Sequence, residues 1–164
     1  ELRELTTKDG EDVFEMVQEI ADGENGFVNS LLAETYQEFQ ERLVNNDRIS
    51  KGINLEPQYV PQTVYWLYAN GEPVGYGKLR HYLNESLKQH GGHIGYVIKP
   101  SARRNGYGKR MLAELLLKAK EKEIDRVLVT CDTTNIASRK IIEANGGILT
   151  ETKNDGCFYW IKVI

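Results

Sequence analysis

Apolar positions along this chain alternate between two periods, and the switches between them lay out the elements. Leu2 to Leu5 reads as a short strand ended by Thr6-Thr7-Lys8-Asp9-Gly10. Val13, Met16, Val17 and Ile20 recur at helical spacing, which predicts a helix over 11–21 broken by Asp22-Gly23-Glu24-Asn25-Gly26. Leu31, Leu32, Phe39 and Leu43 predict a second helix from Ser30 to Asn45. The stretch from Asp47 to Gln62 has no clear period and holds Pro57 and Pro61, so it is expected to be a long loop, of a kind often functional in compact domains. Two β-branched and aromatic runs, 63–69 and 73–83, flank Asn70-Gly71, the signal of a tight hairpin whose central residues need positive φ.

Gly91-Gly92 opens a further strand from His93 to Ile98. Met111, Leu112, Leu115, Leu116 and Ala119 then define one face of a helix over 108–121. A buried strand (126–131), a helix (135–144) stopped by Asn145-Gly146, and two strands (148–150 and 158–163) around a turn at Asn154-Asp155-Gly156 complete the chain. With no repeat or linker in 164 residues, the expectation is a single α/β domain spanning 1–164.

Composition excludes more than it assigns. No run approaches the ~18 apolar residues of a membrane span, and the opening Glu1-Leu2-Arg3-Glu4-Leu5 carries no apolar core of a secretory signal. Cys131 and Cys157 sit in apolar strand-like runs, as reduced core residues of a cytoplasmic protein do. A net charge of −3 argues against generic nucleic-acid binding. Its distribution is uneven. Residues 11–47 hold ten acidic side chains against one basic, and residues 99–126 hold nine basic against four acidic. A basic half suited to an anionic cofactor thus faces an acidic half that can attract a cationic substrate or merely present solvated helix faces. His81, His90 and His93 lack carboxylate or thiol companions at ligand spacing, so no metal site is expected.

The chemistry concentrates in Ile98-Lys99-Pro100-Ser101-Ala102-Arg103-Arg104-Asn105-Gly106-Tyr107-Gly108, where a strand meets a long helix. A helix N-terminus offers unpaired N–H groups and a positive dipole end, glycines let a phosphate approach the backbone, and Arg103, Arg104 and Lys109 add charge. A polyphosphate ligand is implied. A Rossmann fingerprint fails on spacing and position, and the Walker pattern is absent. Gly95 inside a strand pattern marks a bulge or a close backbone approach. A bulge there would splay 93–98 away from 126–131 and expose backbone groups that an extended ligand can satisfy.

Arg103-x-x-Gly106-x-Gly108 after Ile98-x-Pro100, followed by Asn135-x-x-Ser138 opening a helix that ends in Asn145-Gly146-Gly147, resembles the GNAT superfamily of N-acetyltransferases. Within it, Leu79 to Glu85 and Gly91 to Tyr96 are similar to a bacterial group of acetyltransferases without assigned substrates. The resemblance implies a mixed, mostly antiparallel central sheet flanked by helices, with a bulged, splayed strand pair holding acetyl-CoA. Arg103, Arg104, Asn105, Gly106, Tyr107 and Gly108 would cradle the pyrophosphate, Tyr96, Val97 and Ile98 the pantetheine arm, and Asn135 with Ser138 its far side. The implied reaction is direct attack by a primary amine of a small molecule or peptide, entering between the acidic half and the 47–62 loop. The resemblance also allows a homodimer through the final strands.

Many superfamily members carry a Tyr in the second coenzyme A-binding helix, where this chain has Ile142. Tyr159 is the substitute candidate for the acid. His93, near-neutral in its unperturbed pKa, is the candidate base, with Glu85 and His81 as weaker ones. The missing Tyr also leaves open a coenzyme A-binding regulatory module without catalysis.

Overall fold

A computed structural model describes residues Glu1–Ile164. Its elements run β1 (Leu2–Glu4), α1 (Glu11–Ile20), α2 (Tyr36–Ser50), β2 (Gln62–Ala69), β3 (Glu72–Arg80), α3 (Glu85–Gln89), β4 (Ile94–Ile98), a 3₁₀ turn (Pro100–Ala102), α4 (Tyr107–Glu121), β5 (Arg126–Asp132), α5 (Ile136–Ala144), β6 (Ile148–Lys153) and β7 (Gly156–Lys162). Every strand pairing is antiparallel, in two sheets ordered β1-β2-β3-β4 and β5-β7-β6.

The first sheet is covered on both faces, which explains the near-continuous apolar run of β2. Val64 and Trp66 join Tyr76 and Val97 against α1 and α2 through Val13, Met16, Val17, Phe39 and Leu43. Tyr65 and Leu67 point the other way, into a core shared with Met111, Leu112 and Leu115 of α4. That second core also takes in Val127 and Val129 of β5, Ile142 of α5 and Tyr159 of β7. Helix α4 therefore bridges the two sheets.

β4 and β5 join the sheets at one point. The His93 N–H donates to the Leu128 carbonyl at 2.8 Å, and the Leu128 N–H returns a bond to His93 Nδ1 at 2.9 Å. Gly92, at φ +63°, makes this approach possible, since a Cβ there would lie 2.4 Å from the Leu128 oxygen. Beyond that point the strands belong to different sheets. The separation does not come from Gly95: β4 keeps unbroken register with β3 through the Gly95–Lys78 pair.

Several boundaries differ from those expected of the sequence. The second helix begins at Tyr36, not Ser30, because Thr35 caps it by accepting from the Glu38 N–H at 3.1 Å. Leu31 is fully buried from a non-helical segment, so its apolar spacing with Phe39 was coincidental. The helix also runs on to Ser50, taking the first residues of the expected long loop. β3 stops at Arg80, and the short α3, capped by Asn84, follows where strand and loop were expected. β6 extends to Lys153 although all of its residues are exposed, which leaves it no apolar signature. The Asn70-Gly71 hairpin is as expected, with φ of 53° and 80°.

The buried hinge histidine gives stability a pH dependence. Burial, and secondarily the charge of Arg80, hold the His93 imidazole at about 4, below its ordinary 6.5. The unfolded chain thus takes up a proton that the folded one refuses, so this contribution is complete above pH 6.5 and is lost as pH falls towards 4. Asn can accept the Leu128 bond without titrating. Between pH 7 and pH 4 the native chain should lose about 3 kcal/mol more stability than His93→Asn in urea titrations; equal losses would contradict a neutral buried His93.

Candidate active site

The residues from Arg104 to Lys109 form a run of backbone N–H groups that donate to no protein acceptor. Local structure creates it. The 3₁₀ turn after Pro100 ends the strand, Arg104 and Gly106 take positive φ (67° and 78°), and Gly106 caps α4 without a side-chain acceptor. Arg104, Gly106, Tyr107, Gly108 and Lys109 all line one cavity of about 1060 Å³. Gly108 packs closely on α5, where a Cβ would meet Ile141 Cδ1 at 2.9 Å and push that side-chain end aside.

Two members of the expected phosphate cradle serve it indirectly. Asn105 donates to the carbonyls of Ala102 (3.0 Å) and Arg103 (3.2 Å), so its side chain braces the turn and is absent from the cavity wall. Arg103 does line the cavity, but its guanidinium bonds the Ile98 carbonyl at 3.2 Å and pairs with Glu24. Ser101 is similarly tied to Glu19, by its N–H at 2.8 Å and its hydroxyl at 2.9 Å. The uncommitted cations at this mouth are Arg104 and Lys109.

From the phosphate loop the cavity passes between β4 and β5, which both line it. Antiparallel pairing alternates the backbone groups of β4. The Arg80–His93 and Val74–Lys99 bonds fix the parity: Gly95 and Val97 turn their amides towards β3, while Tyr96 and Ile98 turn theirs to the open gap. Val97 lines the cavity as well, but its side chain packs into the core and its backbone amide is spent on β3, so it offers an extended ligand no free N–H. Tyr96 contributes twice. Its hydroxyl is buried beside Ser138 without a hydrogen-bond partner, and burial pushes it up to about 12, so it keeps its proton.

Asn135 and Ser138 line the cavity from the α5 side. Asn135 also caps α5, accepting from the Ser138 N–H at 3.2 Å. Ile142 reaches the same wall from the core. Cys131 lines the cavity opposite Cys157 in register, and burial raises its thiol to about 11.

The candidate acid–base residues lie elsewhere. His93 is outside the cavity lining, with Nδ1 occupied by Leu128 and the ring against Trp160. Tyr159 is fully buried, donating from its hydroxyl to Glu143 (2.9 Å) and accepting from Arg139 (3.1 Å). Neither faces the gap, so the geometry corrects both assignments. His81 and Glu85 do not line the cavity either; His81 Nε2 instead meets the Thr63 hydroxyl at 2.7 Å.

Nor does the 47–62 segment, or any residue of α1 or α2, reach the cavity. The wall on that side is the Glu24–Val28 loop together with Lys78 and Arg80 of β3. These were missed, although Lys78-x-Arg80 is a visible signal: two cations at the strand period within an apolar run.

Residues present thus fit an extended ligand with a polyanionic end: free N–H groups and two cations at one mouth, unpaired strand edges in the gap, and an orphaned hydroxyl midway. A family model described as an acetyltransferase (GNAT) domain matches residues 1–148. No curated protein matches the sequence significantly. Solved structures similar to it include a ribosomal-protein α-N-acetyltransferase in complex with coenzyme A, at 16% identity and TM-score 0.73 over 98% of this chain and 92% of that one. An N-acetyltransferase from Staphylococcus aureus is also 16% identical, with TM-score 0.66 over 100% of this chain and 98% of its own. An N-acetyltransferase from Campylobacter jejuni, in complex with acetyl coenzyme A, is 12% identical, with TM-score 0.65 over 99% and 97%. At these identities the structural likeness establishes the fold, and together with the family match over most of its length it means that this chain belongs to the GNAT acetyltransferase family.

Proposed function

We propose that this chain is an acetyl-CoA-dependent N-acetyltransferase that passes the acetyl group directly to a primary amine of a small molecule or peptide, in the cytoplasm. The observation that carries the reading is the continuity of one cavity from an unpaired run of N–H groups, through the β4–β5 gap, to the opposite face of the sheet. An acyl carrier and an acceptor can meet there from opposite mouths.

Bound acetyl-CoA would supply the activated acyl group. The N–H groups of Arg104–Lys109, with the charges of Arg104 and Lys109, would hold its pyrophosphate. The outward N–H groups of Tyr96 and Ile98 and the Tyr96 carbonyl would hold the pantetheine arm as an added strand. A β4 N–H aimed into the gap is placed to polarise a carbonyl, as an oxyanion hole does. In this reading the Tyr96 hydroxyl, protonated and without a partner, replaces Tyr159 as proton donor to the departing thiolate, and the proton shed by the acylated amine passes to water or to His90, which lines the cavity, and so back to the tyrosinate.

Three measurements test the assignment. Calorimetry with coenzyme A should show binding, and thiol release from acetyl-CoA should appear with at least one class among polyamines, amino acids, aminoglycosides and peptides. Binding without turnover on any class would contradict the enzymatic reading and favour the regulatory one. Arg104→Ala and Lys109→Ala should each raise KM for acetyl-CoA about threefold to tenfold with kcat nearly unchanged, as expected for lost pairing with phosphate; unchanged KM in both would remove the phosphate assignment. Tyr96→Phe should lower kcat with little change in KM; an unaltered kcat would exclude the hydroxyl as acid.

A further inference from the structure

At its second mouth the cavity opens on the α1/α2 face of the first sheet, where Lys78 and Arg80 stand two residues apart on β3 and so on one face. Lys78 is only 7% exposed. Its Nζ donates to the Val28 carbonyl at 2.8 Å and lies 4.7 Å from the centre of the Phe27 ring. Arg80 spends one terminal nitrogen on the carbonyls of Gly91 and Gly92, both at 3.2 Å, and its other nitrogens make no protein hydrogen bond. Neither residue belongs to any ion pair of the molecule.

Two adjacent cations taken out of water without a carboxylate are destabilising, through desolvation and through mutual repulsion. Burial and the charge of Arg80 lower Lys78 to about 8, which still leaves it mainly charged near neutral pH. The acidic residues of the same cavity wall do not answer this charge. Glu24 is held by Arg103 at the phosphate mouth, and Asp132 ends β5 beside the cap of α5. The pocket floor is fixed: Asn29 donates to the carbonyls of Val17 (3.0 Å) and Ala21 (2.6 Å) and accepts from the Tyr76 hydroxyl, anchoring the loop that presents Phe27 and Val28. Opposite Lys78 in register stands Gly95, and the Phe27 ring borders the place its side chain would take, 3.6 Å from a Cβ there, so Phe27 lies between the cations and the gap.

The geometry points to an acceptor that brings the absent anion: an amine that also carries a carboxylate or phosphate group, with that group between Lys78 and Arg80 and the amine reaching the gap beside Gly95. This rests on the acetyltransferase reading and replaces the cationic substrate expected from the acidic helices, none of which line the cavity.

Matched acceptors test it. Free α-, β- and γ-amino acids are assayed by thiol release against their amides, and O-phosphoethanolamine against ethanolamine, which separates the carboxylate from the phosphate source. The acidic member of the best pair should exceed its neutral counterpart at least tenfold in kcat/KM. Lys78→Gln, which can keep the Val28 bond, and Lys78→Met should both abolish that preference while leaving coenzyme A affinity intact. Neutral counterparts used equally well, or a preference unchanged in both variants, would overturn the proposal. A readout without turnover is calorimetry on coenzyme A-saturated protein: N-acetylglycine should bind at least tenfold more tightly than N-methylacetamide, and Lys78→Gln should erase the difference. Equal binding would overturn the proposal even in an inactive protein. Failure to bind coenzyme A at all would instead strike the acetyltransferase reading.

Discussion

The reciprocal pair of hydrogen bonds between His93 and Leu128 is the constraint on which the rest of this structure turns. It fastens two sheets at one end of two strands and leaves them apart at the other. Strands that begin together and then diverge expose N–H and C=O groups on both inner edges, and buried backbone groups need partners. Helix α4 packs against both sheets through one shared core, so the gap cannot close by a small rearrangement. Beyond the His93–Leu128 pair, the inner edges of β4 and β5 line the cavity.

Charge then gives the gap a direction. At one mouth, free N–H groups and two uncommitted cations face outwards from the start of α4. At the other, Lys78 is sunk beneath Phe27 and the Val28 carbonyl, and Arg80 beside it is held by the Gly91 and Gly92 carbonyls. The mouths are mechanically connected, because Glu19 and Glu24 reach from α1 and the loop after it to Ser101 and Arg103 of the phosphate turn. The acidity of the first half of the chain, so prominent in composition, is spent on the solvent-facing sides of α1 and α2 and on these two tethers.

The turn that opens α4 was legible in the sequence, since its logic is local: strand, Pro, basic residues, glycines and amphipathic helix lie within a few residues of one another; that Arg103 and Asn105 are tied to protein partners was not. Element order was legible for the same reason. What failed depends on partners far along the chain. His93 advertises a titratable ring, but whether that ring is free is decided by Leu128, 35 residues away. Tyr159 looked available until Glu143 and Arg139 closed on it. Choosing Tyr96 and Ile98 over Val97 requires the pairing parity of β4, which no single strand encodes. Thr35-x-x-Glu38 did carry the start of α2, but the apolar pair Leu31-Leu32 outweighed it. Lys78 and Arg80 were visible as charges at strand spacing; that nothing neutralises them is a property of the assembled fold.

Amide hydrogen exchange with and without coenzyme A tests the gap most directly. Ligand filling should slow exchange in two separate segments, the outward amides of Tyr96 and Ile98 and the run from Arg104 to Lys109, while leaving the already paired amides of Gly95 and Val97 unchanged. Exchange that is the same at all these positions in saturating coenzyme A would contradict the view that the divergence of β4 and β5 exists to hold an acyl carrier.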